Sequence, residues 1–148
     1  MQRATLSGPL FTIVGIAYFV DLFLRWGPSG SSGLSTTFAG WDIQLVIVSG
    51  EAVVALILVE LVRSTGVWRT AGSSLLSVFL AAFTAVLGVA GLIHLHWGGF
   101  YRLKFGDFGY GAWVGLILLL ALAAGAVVRL EEHGARFGRR EGRVGPST

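Results

Sequence analysis

The stretch Asp42–Arg63, DIQLVIVSGEAVVALILVELVR, decides the fold. Thirteen residues between Ile43 and Val62 are Leu, Ile or Val. About 20 predominantly apolar residues cross the hydrocarbon core of a bilayer as a helix. Two acids, Glu51 and Glu60, are set into this one. On the biological insertion scale the aliphatic residues contribute roughly −4 to −8 kcal/mol, and two central acids cost roughly +5 to +7 kcal/mol if Asp is taken as a ceiling for Glu. The terms nearly cancel. The helix is therefore expected to depend on neighbouring helices, on protonation of a Glu, or on Glu60 reaching the interface.

The rest of the chain has the same character. Of 148 residues, 54% are hydrophobic and 13% charged, with a mean hydropathy of +0.75. About a quarter of an ordinary soluble domain is charged, so this balance points to the membrane. No Asp, Glu, Lys or Arg occurs between Thr70 and Tyr101 or between Phe108 and Val128. The chain has no cysteine, which excludes disulfides, thiolate catalysis and Cys-ligated metals. Its pI near 10.0 comes from Arg at the edges of the apolar runs, not from a basic stripe on a soluble domain, so no nucleic-acid partner is expected.

Four spans follow, at about 9–26, 43–62, 73–95 and 109–128. Pro9 suits a first helical turn. No small-x-small cleavage site follows the first span, so it is expected to be retained. Residues 26–41 (WGPSGSSGLSTTFAGW) and 97–112 (WGGFYRLKFGDFGYGA) read as two loops rich in Gly, the second strongly aromatic. They are expected to pack together as a small cap. Residues 129–148 read as an Arg-rich cytoplasmic tail, a frayed helical end followed by disorder. Ala81, Ala85, Gly88 and Gly91 form a small-residue stripe, and Gly111/Gly115 and Ala121/Gly125 are small-xxx-small pairs, features that let membrane helices approach closely.

Orientation comes from Lys and Arg. Arg3, Arg63, Arg69, Arg129, Arg136, Arg139, Arg140 and Arg143 share one side; Arg25, Arg102 and Lys104 share the other. The positive-inside rule places both termini in the cytoplasm of a multi-pass inner-membrane protein. Trp26, Trp41, Trp68, Trp97 and Trp113 all fall near span ends, as an interfacial aromatic belt would.

The candidate binding residues are Asp21, Arg25, Gln44, Glu51, His94 and His96. All lie toward the outer half of the spans, and intramembrane ionisable groups normally face the bundle interior and pair. A cluster of Asp21, Arg25, Glu51 and His94 between the first three spans would be a ligand site, with Gln44 on the Glu51 face and Ser49–Gly50 giving room for a close neighbour or a bound molecule. The plainer alternative is a helical Asp21–Arg25 pair at i,i+4. Glu60 and Arg63, at i,i+3, read as a structural snorkelling pair. Glu60 points about 180° away from Glu51, nine residues at 100° each, which disfavours a carboxylate dyad. His94 and His96 face apart on a helix but share a side in an extended segment. With His133 at the opposite end, no bis-histidine haem site can be assembled; haem or metal is not expected, and no cofactor is predicted. No phosphate loop, nucleophile elbow or HExxH motif is present.

LFLRW (Leu22–Trp26), GWD (Gly40–Asp42) and YGAW (Tyr110–Trp113) together resemble a loose group of small four-span bacterial membrane proteins, common in actinobacteria and largely without assigned function. Arg25 stands where that group often has Pro. The resemblance implies fold and topology and transfers no catalytic residue. A claudin-like reading of the Trp…GW loop fails, because the cysteine pair is absent.

The expectation is an all-α integral membrane four-helix bundle with two outer loops. Its leading function is that of a non-enzymatic accessory or structural protein, whose partners are the lipid bilayer and either further copies of itself or a larger membrane complex. The alternative is binding or transport of an ion, a proton or a quinone- or lipid-like molecule through the Glu51 cluster.

Overall fold

The computed structural model describes residues 7–27, 39–68, 70–97 and 108–141. These form four α-helices, α1 (Ser7–Asp21), α2 (Gln44–Ser64), α3 (Ala71–Trp97) and α4 (Tyr110–Glu141), with a 3-10 turn at Gly40–Asp42 before α2. The helices alternate in direction and close into a ring: α1 packs on α2 and α4, and α3 packs on the same two.

Each helix turns one stripe inward. On α2 it is Val46, Ser49, Val53, Leu56 and Glu60; on α4 it is Ala112, Gly115, Leu119, Leu122, Ala126 and Arg129. The steps alternate three and four residues, the spacing that keeps one helix face on a core. The α1 stripe is Ser7, Phe11, Gly15, Tyr18 and, just past the helix, Leu22. The α3 stripe runs through Ser77, Ala81, Thr84, Gly88, Leu92 and Leu95. The small residues seen in the sequence are spent on this packing. A Cβ at Gly88 would stand 2.5 Å from Leu119, and one at Gly125 would stand 2.6 Å from Leu10.

The outer surface is also apolar. Ile13, Phe23, Leu58, Phe79, Val86 and Ile117 are each more than half exposed. A water-soluble bundle would not present so much contiguous hydrocarbon. Gln44–Ser64, Gly72–Trp97 and Tyr110–Glu132 are each long and apolar enough to cross a membrane, while α1 is a shorter apolar helix.

Three expectations change. The first span stops as a helix at Asp21, not Trp26: Leu24 N–H bonds Asp21 O at 2.9 Å in a tight turn, and the chain folds back over the bundle end. Trp26 consequently lies in the core, fully buried, and does not belong to the surface belt. Finally, the frayed helical end expected after Arg129 is a continuous part of α4, which runs through Glu141. Trp68, Trp97 and Trp113 do sit exposed near helix ends. Between α2 and α3 the chain turns at Gly66, whose φ of 84° is the left-handed conformation that glycine adopts without a Cβ penalty.

The centres of both predicted outer loops, residues 28–38 and 98–107, lie outside the described residues, as do Arg3, Arg69 and the end of the tail. Where the loops join the helices they meet. Gly109 N–H bonds Trp26 O, and Gly111 N–H bonds Arg25 O, each at 3.0 Å. Trp41 N–H reaches Leu22 O at 3.4 Å, and Arg25 pairs with Ala39 in an antiparallel bridge.

Candidate functional site

The most developed polar site lies at the end of the bundle where α1 begins and α2 finishes. Each core stripe delivers one polar residue to that layer: Ser7 from α1, Glu60 from α2, Ser77 from α3 and Arg129 from α4. Arg129 grips Glu60 bidentately, Nη1 to Oε1 and Nη2 to Oε2, both at 3.0 Å. Parallel bonds of this kind are the strong, directional form of the Arg–carboxylate pair. Both side chains are only 5% exposed. Arg129 Nε donates to Ser7 Oγ at 2.7 Å, and Ser7 Oγ donates onward to Glu132 Oε2 at 2.6 Å. Arg63 Nη1 donates to Glu60 Oε1 at 2.9 Å and reaches Ser77 Oγ at 3.5 Å. The guanidinium of Arg129 also lies 5.0 Å over the ring of Phe11, a cation–π contact.

Glu60 thus forms the expected pair with Arg63, but it is no snorkeller. Its stripe turns it into the bundle, where Arg129 meets it. In the sequence Arg129 reads only as an orienting charge at the head of a tail. The signal for its role was nonetheless there: Leu119, Leu122 and Ala126 run at core spacing straight into it. Two arginines and two glutamates balance in this cluster, and hydroxyls take up further hydrogen bonds. Such a network ties the four helices together at this end and fixes their register.

At the opposite end the candidate binding residues do not assemble. Asp21 is 1% exposed, and neither carboxylate oxygen has a hydrogen-bond partner among the described residues. The predicted Asp21–Arg25 ion pair is not made, because the helix ends between them and Arg25 leaves in the turn. Asp21 instead sits against α4, where a Cβ at Gly115 would stand 2.6 Å from its Oδ2. Gln44, Glu51 and His94 are all exposed on the outside of the bundle. The polar cluster around Glu51 is therefore not formed. The α2 stripe that buries Glu60 must turn Glu51 outward. The Ser49–Gly50 notch holds neighbouring side chains: Ser49 Oγ lies 2.6 Å from the Tyr18 hydroxyl, and a Cβ at Gly50 would meet Leu22 at 2.7 Å.

α3 stays helical through Trp97, which settles the histidines. His94 faces out, while His96 is half-buried at the edge of an apolar recess of about 120 Å³ between α3 and α4. Val89, Leu92, Phe108, Trp113 and Leu116 line it with His96. Among the described residues no three His, Asp or Glu side chains come together as a metal site.

The motif LFLRW meets GWD and YGAW at this end. The Trp26 ring lies within 3.0 Å of where a Cβ would stand on Gly40, and within 2.8 Å and 2.6 Å for Gly111 and Gly115. Asp42 Oδ2 accepts the Ala39 N–H at 2.8 Å, shaping the 3-10 turn, and Trp41 packs edge-on against Phe19. Three short motifs far apart in sequence are one junction in space. No family model, curated protein or solved structure matches this chain.

Proposed function

We propose that this chain is a non-enzymatic accessory or structural subunit of a larger assembly in the cytoplasmic membrane, with both termini on the cytoplasmic side. The observation that carries this reading is the placement of Glu51. Of the two acids of α2, the bundle closes Glu60 within its own side chains, yet presents Glu51 on its outer surface. Intramembrane ionisable residues normally face protein or water and find a partner. A partner for Glu51 belongs outside this bundle. The scattering of Gln44, Glu51 and His94 over the surface speaks against an internal binding or transport site. The eight-to-three distribution of Lys and Arg supports the orientation. The likeness to small four-span bacterial proteins is in keeping with the same reading.

The test is isolation from native membranes in mild detergent, with the mass of the particle measured by native mass spectrometry. A stoichiometric companion chain is expected; a lone 148-residue chain would sink the proposal. Orientation is checked separately, since the chain has no cysteine to interfere. A single cysteine placed between residues 30 and 38 should react with an impermeant thiol reagent added outside the cell.

A further inference from the structure

α2 has two faces of opposite chemistry. Its inner stripe ends in the neutralised Glu60–Arg129 pair. Its outer stripe is Gln44, Val48, Glu51, Val54 and Leu58, all exposed. Gln44, Glu51 and Leu58 recur every seven residues, so they lie along one line that a second helix could follow. Glu51 is seven residues into the helix, about 10 Å from its start at 1.5 Å per residue. A carboxylate at that depth on a lipid-facing surface is costly. Helix side chains lean toward the N-terminus, so Glu51 recovers part of that distance toward the interface but not all of it. Gln44, two turns closer to the interface, adds an amide that can both donate and accept.

The chemistry of the occupant follows from charge. A carboxylate surrounded by Val and Leu is complemented by an ammonium or guanidinium. Among the residues whose side chains are described, a second copy offers no exposed Lys or Arg at the depth of Glu51: Arg129 is buried, and Arg25 and Arg63 are partly covered. Two copies joined through this stripe about a two-fold axis would instead set Glu51 against Glu51.

We infer that the outward face of α2 docks a membrane-spanning helix of a different protein, one that carries an Arg or Lys at the depth of Glu51. This rests on the reading of the chain as a subunit of a larger assembly, and it specifies where the partner binds and what it carries.

The test uses the full chain in its native membranes. A photo-crosslinking residue is placed singly at Val48, Val54 or Leu58 on the α2 face, and at Val86 of α3 or Ile117 of α4 as controls; all five are exposed. The expected result is one protein adduct from the α2 positions, absent from the controls, whose crosslinked peptide is a transmembrane segment bearing Arg or Lys. Glu51→Gln should weaken the association about thirtyfold or more, the lower end of what is lost when one partner of a desolvated charge pair is truncated. Glu51→Arg combined with the partner's cation changed to Glu should restore the adduct. Because Glu51 is exposed on the outside of the bundle, the variants are expected to keep the fold, which size-exclusion chromatography verifies.

An adduct formed only with a second copy overturns the proposal in favour of self-association. Adducts only with lipid overturn it in favour of a snorkelling Glu51. A partner captured at Val86 or Ile117 but not on α2 overturns it while leaving the subunit reading intact. No protein adduct at any position, together with a single-chain particle, removes both.

Discussion

Glu60 and Arg129, 69 residues apart in sequence, face each other through two parallel hydrogen bonds of 3.0 Å inside the bundle. The pair joins α2 to α4, and Ser7, Arg63 and Ser77 extend the connection to all four helices. A carboxylate and a guanidinium in such surroundings are tolerable only together. The Coulombic gain and the hydrogen bonds offset a desolvation cost that either charge alone could not meet.

Breaking the pair should therefore be more damaging than removing it. Glu60→Gln leaves the buried Arg129 without its carboxylate and is expected to cost about 3–5 kcal/mol, while Arg129→Leu leaves Glu60 with Arg63 as its remaining cation and should cost less. Glu60→Met combined with Arg129→Leu should cost clearly less than the sum of the single changes. Reversible unfolding in mixed micelles, analysed as a double-mutant cycle, measures the coupling. Additive single effects would show that the pair is not cooperative.

Ser7 has a smaller but measurable role. Its hydroxyl accepts from Arg129 and donates to Glu132. Ser7→Ala should destabilise by about 1.5–3 kcal/mol, the range for hydrogen bonds to charged groups. Introduced into an Arg129→Leu background, where the Arg129 bond is already gone, the same change should cost less.

Asp21 is the opposite case. Its carboxyl is as buried as Glu60 but has no hydrogen-bond partner among the described residues. Removing an unpaired polar group forfeits no hydrogen bond. Asp21→Ala is expected to change stability by less than about 1 kcal/mol, or to raise it, because a buried unpaired polar group itself costs about 1–3 kcal/mol. A loss as large as that of Glu60→Gln in the same unfolding assay would contradict this.

The Trp26 junction sets a packing test. Trp26→Ala should cost about 3–5 kcal/mol, as large core truncations do, while Trp97→Ala on the exposed surface should change stability by less than about 0.5 kcal/mol. Gly115→Ala places a Cβ 2.6 Å from both the Trp26 ring and Asp21 Oδ2 and should cost about 1–3 kcal/mol through overpacking. Gly72→Ala, with only Thr70 Oγ1 nearby at 3.9 Å, should be neutral or stabilising by up to about 1 kcal/mol. Thermal unfolding of the four variants ranks them.

Much of the architecture was legible in sequence, because hydrocarbon constrains a chain in only a few ways. Long runs without charge must be helices, since only a helix satisfies its own backbone within one segment. The three longer helices therefore lie close to where the apolar runs put them. Their small residues were recognisable as contact points. The opposition of Glu51 and Glu60 followed from nine residues at 100° each.

Sequence alone could not say which of the two acids faced in. Both orientations of α2 bury an aliphatic stripe with one Glu in it, and the choice depends on what the other helices place opposite. Arg129 decides it, because a guanidinium arriving on the α4 core stripe makes Glu60 the acid that can be buried. The same holds at the far end. Asp21 and Arg25 have the spacing of a helical pair, but Trp26 folds into the gap opened by Gly40, Gly111 and Gly115, and the helix stops short to let it in. Periodicity fixes a residue's angle around its own helix. Only the packing of four helices against one another determines which angle points to the core, and so which charge is sealed inside and which is left for a partner.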